Sequence, residues 1–239
     1  MRALCVVALV SIAATAAVAQ NRLVKRPTSQ PASRLFGAVE LRNPDVLVRK
    51  LDIVPGSNES VPATVHDYLL ISFGDNALRV TGYQTDFQLS FTNGDIQVLQ
   101  GGWPHKLNNE SDKGAQLVMV EVERNLFPRS AVCGLAAKNC GETRFGKSAQ
   151  GEYSQATLFE TDTAKLFRVQ LDSQVGMHQH NDGRPHLLIA ITPFEGHADA
   201  DAFSLQPREA HWLSGGIDEL TNDGSAQARF LILELKKKY

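Results

Sequence analysis

The sequence predicts an all-β protein built as two tandem barrels, and three observations carry that reading. Most periodic segments alternate apolar and polar residues, as in Phe87-Gln88-Leu89-Ser90-Phe91 and Phe167-Arg168-Val169-Gln170-Leu171; this two-residue period belongs to half-buried strands. Turn signals separate the segments: Phe73-Gly74-Asp75-Asn76, Thr92-Asn93-Gly94-Asp95, Asn181-Asp182-Gly183-Arg184-Pro185 and Asn222-Asp223-Gly224-Ser225. The pattern also runs twice along the chain, with no amphipathic helix longer than a turn or two. Many short strands at regular spacing argue for sandwiches or barrels.

Taken in order, the first nineteen residues read as a secretory signal. Arg2 gives a positive start, Ala3 to Ala14 is uncharged and apolar, and Ala17-Val18-Ala19 is a small-x-small cleavage site, so Gln20 is the expected mature N-terminus. The expected location is therefore secreted or periplasmic. The apolar run is too short and wrongly flanked for a membrane span, no second one follows, and no membrane partner is expected. Residues 20–35 are polar and Pro-containing and read as a flexible leader. Residues 36–124 form the first expected barrel and residues 155–239 the second. The stretch 125–154 between them lacks a clean period and reads as a linker. It carries Cys133 and Cys140, which in an exported chain suggest a disulfide closing a short loop. A reactive or metal-binding pair is the alternative, although the spacing matches no zinc pattern.

The formal charge of −2 comes without a basic patch, so nucleic acid is not an expected partner; a small-molecule ligand or substrate is. Lys236-Lys237-Lys238 reads as a solvated tail. Asn58-Glu59-Ser60 and Asn109-Glu110-Ser111 match the N-glycosylation triplet. Barrel edge strands make a homodimer the expected assembly.

The repeat is visible in two blocks. Leu51-Asp52, Gly56 and His66 have the spacing of Leu171-Asp172, Gly176 and His186. Asp95, Leu99-Gln100 and His105 have the spacing of Asp201, Leu205-Gln206 and His211. Each half closes on an alternating strand, Val118 to Glu123 and Leu231 to Lys236. In this alignment Asn58 and Ser60 stand opposite His178 and His180.

Those last two histidines are separated by one residue, so in a strand they share a face. Neutral imidazole is the commonest metal-ligating side chain. His178, His180, His186 and His211 are accordingly the expected metal ligands of the second half. There is no nucleophile elbow, phosphate loop or dinucleotide glycine motif.

The second half resembles the cupin superfamily at Gly176, His178, His180, the turn Asn181 to Pro185, the apolar strand Leu187 to Ile191, and Asp201, Phe203, Leu205 and His211. The first half resembles a degenerate cupin, best at Gly94-Asp95 and Gly101-Gly102-Trp103-Pro104-His105. The resemblance implies two tandem cupin (jelly-roll) β-barrels with one divalent transition metal in the second. His186 stands where the family usually has Glu, which makes the shell more positive and favours Zn, Cu or Fe over Ni or Mn. It also gives His186 two implied roles, fourth ligand or catalytic acid/base. The implied function is a metal-dependent oxygenase-type enzyme, or an isomerase or hydrolase, acting on a small organic molecule. The alternative is a non-catalytic cupin that binds or senses a small molecule or metal.

The cysteine reading has a direct check. Denatured, unreduced mature protein is expected to release no free thiol to Ellman's reagent; two free thiols would remove the Cys133–Cys140 disulfide.

Overall fold

Two sheets, each buried on both faces, lie back to back at the centre of the molecule. The structure is a computed structural model that describes residues 37–123, 143–147, 151–179 and 182–236. The signal segment, the leader, Cys133, Cys140 and His180 lie outside the described residues.

The first barrel comprises β1 (Ala38–Arg42), β2 (Val46–Ile53), β3 (Asn58–Val61), β4 (Asp67–Phe73), β5 (Asn76–Gly82), β6 (Thr85–Phe91), β7 (Ile96–Leu99), β8 (His105–Asn108) and β9 (Ala115–Val122). The second comprises β10 (Thr143–Lys147), β11 (Glu152–Glu160), β12 (Ala164–Leu171), β13 (Gly176–His178), β14 (His186–Ala190), β15 (Phe194–Ala198), β16 (Asp201–Leu205), β17 (Ala210–Leu213), β18 (Glu219–Asn222) and β19 (Ala228–Leu235). Strand β10 and the start of β11 fall inside the stretch expected as a linker. Among the described residues there is no helix.

Each barrel faces one larger sheet with one smaller. In the first barrel the orders are β1-β2-β9-β4-β7 and β3-β8-β5-β6. In the second they are β10-β11-β12-β19-β14-β17 and β13-β18-β15-β16. The shared core of these orders is the same in both: β2-β9-β4-β7 matches β12-β19-β14-β17, and the small sheets match strand for strand. The duplicated jelly-roll architecture is thus built into the pairing.

The ladders set a different register from the sequence repeat. Glu121 faces Tyr68 and Glu234 faces His186, so Tyr68, not His66, is the counterpart of His186. Gln97 faces Leu70 and His211 faces Leu188, so Gln97, not His105, is the counterpart of His211. The first error is a slip of two positions. A two-residue slip leaves every side chain on its own face, so alternation cannot detect it.

The large sheets explain the uninterrupted apolar runs. All seven residues of β4 and all five of β14 are buried. Tyr68 and Leu70 fill the first barrel with Leu117 and Met119, while Leu188 and Ala190 fill the second with Phe230 and Ile232. Their neighbours Leu69 and Ile71, and Leu187 and Ile189, point the other way. These join Val118, Val120, Leu231 and Leu233 in one continuous core between the barrels. Each such side chain contributes about 1.5–3 kcal/mol when fully buried. Both barrels accordingly belong to one compact unit.

Two asparagines staple equivalent corners. Asn109 Nδ2 donates to the carbonyls of Ile53 at 2.9 Å and Lys113 at 2.7 Å. Asn222 Nδ2 donates to those of Leu171 at 3.3 Å and Ala226 at 2.8 Å. Asn109 is 1% exposed, so its triplet is not a surface acceptor for a glycan; Asn58 is exposed.

One side chain crosses the interface with particular weight. Arg208, held at a φ of 74°, donates to Asp52 Oδ1 at 2.7 Å and to the carbonyls of Leu51 at 2.9 Å and Leu117 at 3.3 Å. Hydrogen bonds from a charged donor are worth about 1.5–3 kcal/mol each, and the carbonyls are left without this donor when it is removed. Arg208→Ala is expected to lower the unfolding free energy by about 2–3 kcal/mol in urea titrations; a loss below about 0.5 kcal/mol would contradict this role.

Candidate functional site at the mouth of the second barrel

Of the four histidines expected to share an ion, His178, His186 and His211 are not grouped as a metal site, and His180 lies outside the described residues. Alternation in β13 puts Met177 inward, 1% exposed and in the barrel core. His178 is its outward neighbour, exposed and opposite Glu219. Because neighbouring strand residues point to opposite faces, His178 is turned away from the core that holds Met177.

His211 points inward but closes a different seam. It lies on the edge strand β17, and its ring stacks on Phe203 of the opposite edge strand β16, centroids 4.1 Å apart. Its Nε2 is 3.1 Å from Asp201 Oδ2. The ring thus bridges the two open sheet edges, and its outer nitrogen is already engaged. His197 lies in β15 with Nδ1 2.7 Å from Asp223 Oδ2.

Among the described residues no group of three or more His, Cys, Asp or Glu side chains is placed to hold a metal ion. His178, His186 and His211, the three of the implied ligands that are described, do not by themselves form such a group.

His186 remains, and its setting is unusual. As the first residue of β14 it shares the inner face with Leu188 and Ala190, yet it is only 3% exposed. Its Nδ1 rests 3.5 Å from the Gly215 carbonyl, at the long limit of hydrogen bonding. Its Nε2 lies 4.0 Å from Glu234 Oε2. Arg184 stands between two carboxylates: its Nη1 pairs with Glu234, and its Nε lies 2.7 Å from Asp182 Oδ2. Gln179, the residue after β13, binds the Asp218 carbonyl through its backbone, while its buried Nε2 makes no hydrogen bond among the described residues. The surroundings of His186 therefore offer an imidazole and a carboxylate–guanidinium–carboxylate chain.

Burial holds the His186 imidazole below its ordinary value, against the opposing pull of the Glu234 charge. The ring is neutral at neutral pH and can both donate and accept.

The same place in the first barrel holds a tyrosine. Tyr68 is fully buried, and its hydroxyl donates to the Pro62 carbonyl at 2.9 Å. Glu121, the counterpart of Glu234, is 3.2 Å from His66 Nδ1. His66 thus takes the place of Arg184, two residues before Tyr68 as Arg184 is before His186. His105 is buried, with Nε2 2.9 Å from the Gln100 carbonyl. Trp103 stacks on Tyr83 at the exposed rim, centroids 4.6 Å apart. Glu234, Arg184 and Asp182 were not anticipated from the sequence. The signal for the first was a carboxylate at a core-facing position of the closing strand.

Because the folded state disfavours protonated His186, the unfolded chain binds the extra proton first as pH falls below about 6.5. Stability is therefore expected to drop between about pH 7 and pH 5, and less steeply in His186→Gln than in the wild type. Urea unfolding across that window is the measurement, and equal slopes would contradict a buried neutral imidazole.

No family model matches the sequence, and no curated protein matches it. Solved structures do. AerE from Microcystis aeruginosa is 9% identical with a TM-score of 0.59, over 81% of this chain and 88% of that one. A cupin 2 conserved barrel domain protein from Leptotrichia buccalis is 10% identical with a TM-score of 0.51, over 82% and 86%. Bacillus subtilis oxalate decarboxylase, described for its Mn(II) centres, is 13% identical with a TM-score of 0.56, over 82% and 70%. At these identities the likeness is one of fold, and the strand order and the neighbours agree on it: the chain has the cupin fold twice over, as a bicupin.

Proposed function

We propose that this chain is a small-molecule-binding bicupin whose ligand enters the mouth of the second barrel and hydrogen-bonds to His186. One contrast carries the proposal. At matching ladder positions, the first barrel has a tyrosine tied to a backbone carbonyl, whereas the second has a neutral histidine with a long contact to one. Buried polar groups are normally hydrogen-bonded, so an underused imidazole favours a ligand there. The Asp182–Arg184–Glu234 chain fixes the surrounding dipoles and leaves His186 free to exchange a proton or hydrogen bond.

A second reading keeps the enzyme: a metal-dependent oxygenase-type, isomerase or hydrolase activity. The fold likeness to oxalate decarboxylase favours it, as an analogy of fold rather than of site. Export remains part of the proposal and rests on residues 1–19.

A thermal-shift screen of small polar organic molecules, run beside turnover assays and elemental analysis of untagged protein, separates the readings. The expected hit raises the melting temperature of the wild type without turnover. It does not raise that of His186→Tyr, which copies the first barrel. Equal shifts in both proteins would reject the site. Turnover with more than about 0.2 equivalents of a transition metal would replace binding with catalysis, since a genuine ligand set loads readily.

A further inference from the structure

The barrels meet through a pseudo-twofold arrangement in which a turn of each lies on the large sheet of the other. The second barrel contributes the turn before β17, whose Arg208 reaches Leu51, Asp52 and Leu117. The first contributes the turn before β7, where Arg168 Nη2 donates to the Gly94 carbonyl at 3.0 Å. Arg208 and Gly94 are counterparts. Each lies two residues before its edge strand, and each holds a positive φ, 74° and 86°.

The surfaces beneath them correspond as well. Asp52 pairs with Gln116 in one ladder and Gln170 with Arg229 in the other. In the first place a guanidinium fills the space over Asp52. In the second, glycine carries no side chain, and a Cβ there would meet Ile191 at 2.9 Å. What stands in the second place is a cavity of about 130 Å³ lined by Asn93, Ser154, Arg168, Gln170, Ile191 and Arg229.

Its charge is the reverse of the filled place. Two arginines and no carboxylate are among its lining residues. Arg168 also reaches Asp95 Oδ1 at 3.5 Å. The Arg229 guanidinium makes no ion pair or hydrogen bond among the described residues, although its backbone N–H is used by Thr192.

We propose that this inter-barrel cavity binds a small oxyanion of the carboxylate or phosphate class. Arg229 supplies a planar fork suited to two oxygens, Arg168 a second cation, and Ser154, Gln170 and Asn93 neutral donors. The site lies on the back of the sheets, separate from the mouth around His186, and stands whether or not that mouth binds a ligand.

The test is calorimetric titration of the full chain with inorganic phosphate and, separately, malonate at low ionic strength. One anion is expected to saturate at one per chain. Phosphate alone would assign the phosphate class, and malonate alone the carboxylates. Arg229→Gln and Gln170→Glu, the latter copying the acid under Arg208, should each weaken binding by roughly tenfold or more. Arg42→Gln, on an exposed strand, should leave it unchanged. If Arg229→Gln fails to fold, Gln170→Glu carries the comparison alone. Binding of neither anion up to about 10 mM, or binding that the cavity variants leave intact, would overturn the proposal.

Discussion

The apolar layer between the two large sheets is the constraint on which the rest of the molecule depends. A strand in the middle of either sheet must be apolar on both faces, one for its own barrel and one for the other barrel. That requirement removes the polar half of the alternation from β4, β9, β14 and β19. It also fixes the mutual placement of the barrels, because side chains interdigitating across two sheets admit few alternative registers. The polar contacts at the margins, Arg208 over Asp52 and Arg168 on the Gly94 turn, specify a geometry that the apolar layer has already made favourable.

Against that common frame, function resides in the differences between two copies of one ladder. Glu121 and Glu234 occupy the same place, and each has a basic partner, His66 or Arg184. The side chain facing each carboxylate differs. Tyrosine is long enough to reach a carbonyl at the rim and satisfy itself. Histidine is shorter, and burial keeps it uncharged. The exchange of tyrosine for histidine replaces a self-satisfied group by an underused one without altering any strand.

The architecture could be read from the chain because its signals are local. Alternation, Asn-Gly and Asp-Gly turns and two closing strands each report on a few neighbouring residues, and they located β6, β9, β12, β14 and β19. The site could not be read so well because its geometry depends on register. Spacing between histidines aligned His66 with His186, where the ladder aligns Tyr68, and a period of two is blind to that slip. His178 was expected as a ligand from its spacing to His180 and from the resemblance, whereas the buried Met177 beside it decides the face. His211 was expected as a metal ligand, but its position on an edge strand sends it to the seam with Phe203. Arg184 and Glu234 are distant in sequence and meet only once β14 and β19 pair.

The shared core also has a consequence in time. Chains emerge from the ribosome N-terminus first, at about 5–20 residues per second. The strands of the first barrel, through Val122, are complete while the second, which ends near Leu235, is still being made. For on the order of ten seconds at those rates, a finished first barrel would carry Leu69, Ile71, Val118 and Val120 on a sheet face with nothing to cover it. The second barrel is thus also the cover for an apolar face that the half-made chain would expose.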